Sequence, residues 1–539
     1  MKKMRKLLSL LLTASTVATL FTGCGRNEDN KTTSTGQKSE TQSQTGNKND
    51  AVPPPSSKNG AAPPSSSEDG LPAMTTENIT LTYLNFDDQV TTEKLAEKFT
   101  EKYPNIEVVV QYVEAKDSNN TLMNLIGAGQ TPDCFMYSDC DYALSHELLY
   151  DMTEYWKADP ENKELLPTIN ELKLGYYFSD KKWGTPMKFF PGVVFVDKNE
   201  LETLNIDMPP TDWTWNEMID LIKNATDLDQ SPAYYGLGYY HRLDSLYGIA
   251  AGQDVIGEFG FNGKTFDLSI WAIGEQEFAD LKISNYVAPP QNSPGMEQWM
   301  GAYDFWHGQS GRVAIETEAY WTFMNLWDKQ EYRDMGLLYV PYVIPSVEET
   351  EGVHNSIASL DFGGISSGTE HPREAYELLK FMGWGVDGWK ERIKIYNNES
   401  ITNLKGEPLI RAGMPAPITM NQEVWDEYRK LYPQDEVEGS YWDRYFESCT
   451  RPIPFGWMQI PGYWTFCDEY FNKLGIHDLV DAGKNKAIDF AEEATEQAND
   501  YFAKAMDTYF GIDVTSDSYT FERDLSGNTD AKLSFGSES

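Results

Sequence analysis

Three short stretches carry residue types in patterns that could do chemistry. His146-Glu147-Leu148-Leu149-Tyr150 begins like the helix of a zinc protease, but the histidine ligand due at position 150 is a tyrosine. A metal there would lose a ligand it needs. Gly364-Ile365-Ser366-Ser367-Gly368 has the spacing of the nucleophile elbow of hydrolases. The helix that should follow at once starts only after Pro372, and only His371 and His477 remain downstream as triad bases. Asp227-Leu228-Asp229-Gln230-Ser231-Pro232 starts like a calcium loop, with Pro232 where glycine must make the turn and Gly238 where the closing glutamate belongs. The chain has neither a P-loop nor a dinucleotide-binding glycine fingerprint. A glycoside hydrolase needs two carboxylates flanking one bond. With 84 Asp and Glu residues such pairs are unavoidable, so their presence decides nothing. No metal and no cofactor are expected.

Composition points to binding. Fifteen Trp and 31 Tyr stand beside those 84 acids, and rings with hydroxyl-fixing carboxylates suit a carbohydrate site. The formal net charge of −40 excludes nucleic acid as a partner, because phosphate binding needs basic patches. Of five cysteines, Cys134, Cys140, Cys449 and Cys467 fit no common zinc spacing. They allow three disulfide pairings or free buried thiols.

The N-terminus reads as an export signal. Met1 to Lys6 is basic, and an apolar run extends from Leu7 to about Phe21. A membrane-spanning helix needs about 20 apolar residues, and this run is shorter and interrupted by Thr13, Ser15, Thr16 and Thr19. Phe21-Thr22-Gly23-Cys24 resembles the lipobox of bacterial lipoproteins, with Phe21 where leucine is usual. That resemblance implies a signal peptide over 1–23 and acylation of Cys24. Residues 24–77 are dominated by Ser, Thr, Asn, Gln, Lys, Gly and Pro, too polar to bury a core. Such a tether reaches roughly 40 Å as a flexible coil. It would hold a folded body off the membrane, on the extracellular side.

The elements that must position any site begin at residue 78. Asn78 to Phe86 alternates as a strand. Leu95, Phe99 and Tyr103 mark a helix face that Pro104 ends. Ile106 to Val113 is a second strand, a helix runs near 119–127, and the stretch around Cys134 is a third strand. This rhythm predicts a largely parallel α/β sheet, whose ligands sit beyond the C-terminal strand ends. Asp212 or Thr214 could cap a helix carrying Trp215, Met218, Ile219 and Ile222. From Ala487 to Tyr509 the small and apolar residues recur every three or four positions, a long amphipathic helix. The polar tail from about Val514 should fray.

Five stretches, in order, resemble the family 1 extracellular solute-binding proteins, the sugar-binding lipoproteins of bacterial ABC importers. They are AEKFTEKYPNIEVVV followed by GAGQTPDCF, then Lys181 to Ile222, Gly311 to Phe323, and Ser356 to Trp384. The resemblance implies a periplasmic-binding-protein-like α/β fold, with two lobes, crossing hinge strands and a ligand cleft between them. It implies an N-lobe over 78–190 and 356–400, a C-lobe over 191–355 and 401–513, and a flexible tail at 514–539. It further implies a monomer that binds a solute, a saccharide being favoured, and delivers it to ABC transporter permease subunits without catalysis. A secreted glycoside hydrolase and a non-catalytic surface adhesion lipoprotein are the competing readings.

On this frame the candidate ligand contacts sit at strand ends. In the N-lobe they are Asn85, Phe86, Asp87, Ser138, Asp139, Asp361 and Phe362, with Lys188 beside Pro186. In the C-lobe they are Tyr239, Tyr240 and Arg242 in an aromatic loop, and Glu318, Tyr320 and Trp321 where a strand meets a helix. Trp457, Tyr463 and Trp464 resemble the aromatic stretch before the family's final helices. His241 and His307 read as structural, and Asp139 could equally cap a helix.

Overall fold

The strand–helix rhythm of the first third becomes regular structure. The computed structural model describes residues 70–166, 181–239, 243–251, 259–319, 334–409, 414–431, 443, 446, 449–450, 452–454, 460–521 and 533–535. The signal segment, Cys24 and residues 25–69 of the expected tether lie outside it, as do Tyr240, Arg242, Tyr320, Trp321 and Trp457. The stretch 70–77, expected as tether, instead docks on the body, with Leu71 buried in the core and Arg373 donating to Pro72 O.

Strand β1 (Ile79–Asn85) is joined to its parallel neighbour β2 (Ile106–Tyr112) by helix α1 (Gln89–Lys102). Asp88 starts that helix by accepting from Thr91 N at 2.7 Å, which satisfies one orphan donor of the first turn. Leu95, Ala96 and Phe99 face inward. Helix α2 (Ser118–Gly127) leads to β3 (Cys134–Tyr137), parallel to β1 on its other side, and then to α3 (Cys140–Ser145). Strand β4 (Thr185–Asp197) follows, then α4 (Lys198–Leu204), α5 (Trp215–Asn224), β5 (Tyr235–Tyr239), α6 (Leu243–Ala250) and α7 (Ser269–Ile283). Strands β6 (Val313–Ala319), β7 (Tyr339–Tyr342) and β8 (Ser356–Ile365) come next, with α8 (Pro372–Met382), α9 (Val386–Tyr396) and α10 (Gln422–Arg429). The chain ends through β9 (Pro452–Pro454), α11 (Ile476–Asp481) and α12 (Ile488–Phe510).

The ladder runs β2-β1-β3-β8-β4-β6-β5, with β7 on β4 and β9 on β8. Two strands serve both lobes. Strand β8 pairs with β3 from Phe362 to Ile365 and lies against β4 from Ile357 to Gly363. Strand β4 then continues past Gly192 beside β6 and β7. The result is two α/β lobes joined by a two-stranded antiparallel ribbon. Gly192 is required at the crossing, because a Cβ there would lie 1.9 Å from Ile357 Cγ2.

Local expectations are met in part. Thr214 caps α5 in a reciprocal capping box with Glu217, while Asp212 meets His354 Nε2 at 2.6 Å instead. Helix α12 turns Ala491, Ala494, Ala498, Phe502 and Met506 inward, onto a second core built with Trp271, Phe466 and Phe471. The C-terminal segment does not simply fray. Val514 is buried, Tyr519 donates its hydroxyl to Gly263 O, and Phe535 packs 5.3 Å from the Trp425 ring. Helix α10 associates with α9 through Lys390–Glu423 at 2.6 Å and Trp389 against Tyr428. Leu166 N donates to Ile418 O just before it. Cys134, Cys449 and Cys467 are buried and outside any disulfide. Among the described residues no helix is long and apolar enough to cross a membrane.

Candidate functional site

The two lobes aim their strand ends at one another. Strands β1, β2 and β3 run parallel and finish at Asn85, Tyr112 and Tyr137. In the other lobe β5 and β6 run parallel and finish at Tyr239 and Ala319. The β4–β8 ribbon connects the two sets. Lys188 pairs with Asp361 at one end and Gly192 with Ala319 at the other. Four residues of strand separate those positions, roughly 13 Å. A cleft with the ribbon as its floor therefore has C-terminal strand ends on both walls, where α/β sheets bind ligands.

A β-bulge between Pro186 and Lys188 shifts the register and sets Lys188 opposite Asp361. Its ammonium lies 3.2 Å from Asp87 Oδ1 and 3.6 Å from Asp361 Oδ2. Arg392, from α9, reaches Asp87 Oδ2 at 3.3 Å, and Ser138 donates to Asp361 Oδ1 at 3.0 Å. Two anions and two cations thus lock the ends of β1, β3, β4 and β8 to α9. Burial opposes ionisation of Asp87, but Lys188 and Arg392 outweigh it and hold its carboxyl below the usual range. Burial pushes Asp361 up, and Lys188 only partly offsets this. All four oxygens of the two carboxylates are engaged, an arrangement suited to holding geometry and poorly suited to passing protons to a substrate.

The expected contacts in this lobe fall into two groups. Asp87, Lys188 and Asp361 are 6–8% exposed and form the support just described. Asn85 is fully buried; its Oδ1 accepts from Asp87 N, and its Nδ2 has no hydrogen-bond partner among the described residues. Phe362 points to the opposite face and packs on Tyr137 as core. Phe86, Ser138 and Asp139 are partly exposed. Phe86 and Phe190 flank the Lys188 ammonium, with ring centroids at 5.7 and 5.1 Å. Asp139 caps α3 by accepting from Tyr142 N at 3.0 Å.

The facing wall is reached through Asp141. Its Oδ2 accepts from Gly462 N at 3.1 Å, and burial raises its carboxyl to about 7. Gly462 holds φ +78°, and a Cβ there would lie 2.5 Å from Tyr501 O, so only glycine brings this turn against α12. The turn separates two expected contacts. Tyr463 is buried and stacks on Phe259, whereas Trp464 is 47% exposed. On the backbone Tyr239 pairs with Thr317 and Glu318 with Val193, next to the ribbon. Tyr240, Arg242, Tyr320, Trp321 and Trp457 lie outside the described residues.

Sequence reasoning missed Arg392, Asp141, Phe190 and Tyr112. Phe190 stands two after Lys188 on the same strand face, so it could have been found by period, whereas Asp141 sits in the first turn of α3, where spacing from Asp139 gives no such signal. Tyr112 ends β2 beside Asn85 and is 43% exposed. Arg392 has no local signal. Ser366, the candidate nucleophile, is buried and donates its hydroxyl to Pro132 O.

The profile described as bacterial extracellular solute-binding protein matches residues 85–383, more than half of the chain. The chain belongs to that family. No curated protein matches it. Solved structures of this solute-binding protein's fold include an ABC substrate-binding protein of Listeria monocytogenes in complex with cycloalternan. It is 19% identical with TM-score 0.55, over 79% of this chain and 98% of that one. A sugar transporter protein of Rhizobium etli in an open conformation matches at 15% identity and TM-score 0.58, covering 78% and 99%. A cyclic α-maltosyl-1,6-maltose binding protein of Arthrobacter globiformis matches at 14% and 0.55, covering 79% and 99%. The family places the protein's work outside the cell.

Proposed function

We propose that this solute-binding protein captures a saccharide, an oligosaccharide in particular, and delivers it to the permease of an ABC importer. The carrying observation is the pair of opposed strand-end walls across the β4–β8 ribbon. The fold likeness to proteins solved with cycloalternan and maltotetraose supports a glycan as cargo. Aromatic faces at Phe86, Tyr112, Phe190 and Trp464 cover sugar C–H surfaces, while Ser138 and Asp139 meet hydroxyls. The candidate contacts from the second lobe are Tyr239, Tyr240, Arg242, Glu318, Tyr320, Trp321 and Trp457. The Asp87–Lys188–Asp361–Arg392 network keeps the first wall rigid.

Ligand that touches both walls binds the closed form better than the open one, so it shifts the hinge by that difference. The permease then reads the closed form, and no bond is made or broken. The first lobe comprises about 78–190 and 356–400, joined by the α10 region, and the second about 191–355 and the terminal helices. Acylated Cys24 and the tether keep this monomer at the membrane.

The test is a thermal-shift and calorimetric screen of the full-length protein in mild detergent against linear and cyclic α-glucans, starting with maltotetraose and cycloalternan. One glycan should raise the melting temperature and be recovered intact by mass spectrometry. Release of reducing ends would turn the reading to a glycoside hydrolase, and no shift with any glycan would overturn the saccharide.

A further inference from the structure

Away from the cleft, in the second lobe, three side chains distant in sequence converge. Asp244 on α6, Glu275 on α7 and His477 on α11 bring their ligating atoms within 4.8 Å of one another. Both carboxylates are buried, Glu275 completely. His477 Nδ1 stands 2.9 Å from Glu275 Oε1. The backbone is shaped for this approach. A Cβ at Gly274 would lie 2.5 Å from Leu243 O and 2.8 Å from Asp244 Cα, so glycine lets α7 press onto the start of α6. That contact sets Glu275 beside Asp244. The imidazole is held by Phe471, 5.1 Å between ring centroids, and by Trp271 at 6.2 Å. Lys282 and Asp481, 2.6 Å apart, tie the same two helices, α7 and α11, further along.

We infer that Asp244, Glu275 and His477 form a binding site for a divalent first-row metal, zinc foremost. Two carboxylates brought together in a dry interior repel each other. An imidazolium would balance one of them, and a divalent cation balances both. Two oxygens and one imidazole nitrogen suit zinc, manganese or iron(II), whereas calcium and magnesium prefer oxygen alone. Atoms sharing one zinc stand roughly 3–4 Å apart, so the observed spread closes with small side-chain movements. The ion would staple α6, which begins one residue after Arg242, to α7 and the terminal helices around Trp271, Phe471 and Phe502. Ligands 202 residues apart leave no local spacing to read, which is why the sequence shows no metal motif.

The experiment is elemental analysis of the untagged full-length protein, purified without chelator, then melting before and after treatment with dipicolinate. About one zinc, manganese or iron per chain should survive dialysis. Stripping should lower the melting temperature, and adding zinc back in large excess over its Kd should restore roughly 3–5 °C. His477→Gln and Glu275→Gln should each lose the ion, while the exposed His146→Gln control keeps it. If either site variant fails to fold, the stoichiometry and zinc-dependent melting of the unaltered protein decide. A chain that takes up none of the three metals and melts alike in chelator and zinc would reduce the triad to a hydrogen-bonded cluster. Metal retained by both folded site variants would equally overturn the inference.

Discussion

The two lobes bury acids in opposite ways. At the strand ends of the first, Asp87 and Asp361 face Lys188 and Arg392, and each oxygen has a partner. Under the second, Glu200 on α4 is 3% exposed and neither carboxylate oxygen has a hydrogen-bond partner among the described residues. Burial, then the nearby Asp197 and Glu316, push its carboxyl well up. Asp197 itself is raised to about 6, chiefly by burial. Glu316 is buried against His307, and Gly238 leaves the room for that pair. The first arrangement keeps charge and geometry fixed beside the cleft. The second favours the protonated form of Glu200, a carboxyl that has no ligand-facing task. Burial alone therefore does not mark a working acid; its partners do.

The contrast is broken most strongly at Lys188. Lys188→Met leaves the buried acids short of a cation and should cost about 3–5 kcal/mol in urea unfolding. A midpoint that does not move would show that the network is not held in a dry interior. The opposite sign is expected at Glu200. Its folded carboxyl titrates well above the unfolded one, so between those two points the folded state holds a proton that the unfolded chain has released. Stability through this group is present at low pH and lost as pH rises. Glu200→Met should therefore stabilise the fold by about 1–3 kcal/mol at neutral pH, with a flatter profile as pH rises above the ordinary glutamate range. Destabilisation together with an unchanged profile would mean Glu200 is paired after all.

Two neighbours sharpen the comparison on the facing wall. Trp464→Ala should weaken glycan binding about tenfold, roughly 1.4 kcal/mol, and leave the melting temperature alone. Tyr463→Ala should do the reverse, because its ring belongs to the core against Phe259. Calorimetry beside thermal melting separates the two, and matching effects would erase the distinction. The smallest effect is at Asp141. Burial raises this carboxyl to about 7 even though the Gly462 N–H favours its charged form. A contact made on closure would therefore take up a proton, and affinity should fall severalfold from pH 6 to pH 8. Asp141→Asn should give a flat profile, and a slope that survives the substitution would assign it to another group.

Much of the fold was legible because its signals are local. Alternation in β1 and β2, the Leu95–Phe99 spacing and Pro104 set the first βαβ unit, and the alanine stripe of α12 announced itself by period. The candidate positions were legible where they follow from strand ends, and the structure does gather Asn85–Asp87 and Ser138 there. It was not legible where contacts are long-range. Arg392 reaches Asp87 across 305 positions, and the bulge that aims Lys188 depends on its partner strand. Nor can composition separate Trp464 from Tyr463, since a single tight turn at Gly462 decides which ring meets water. The C-terminal residues looked frayed because they are polar, yet Val514, Tyr519 and Phe535 find the body.

Hinge closure on a sugar is most directly tested by small-angle X-ray scattering of the full-length protein in solution, with and without a glycan that raises its melting temperature. Saturation should reduce the radius of gyration and narrow the distance distribution, as opposed walls swing together about the β4–β8 ribbon. Tight binding with identical scattering curves would contradict a solute held between the lobes.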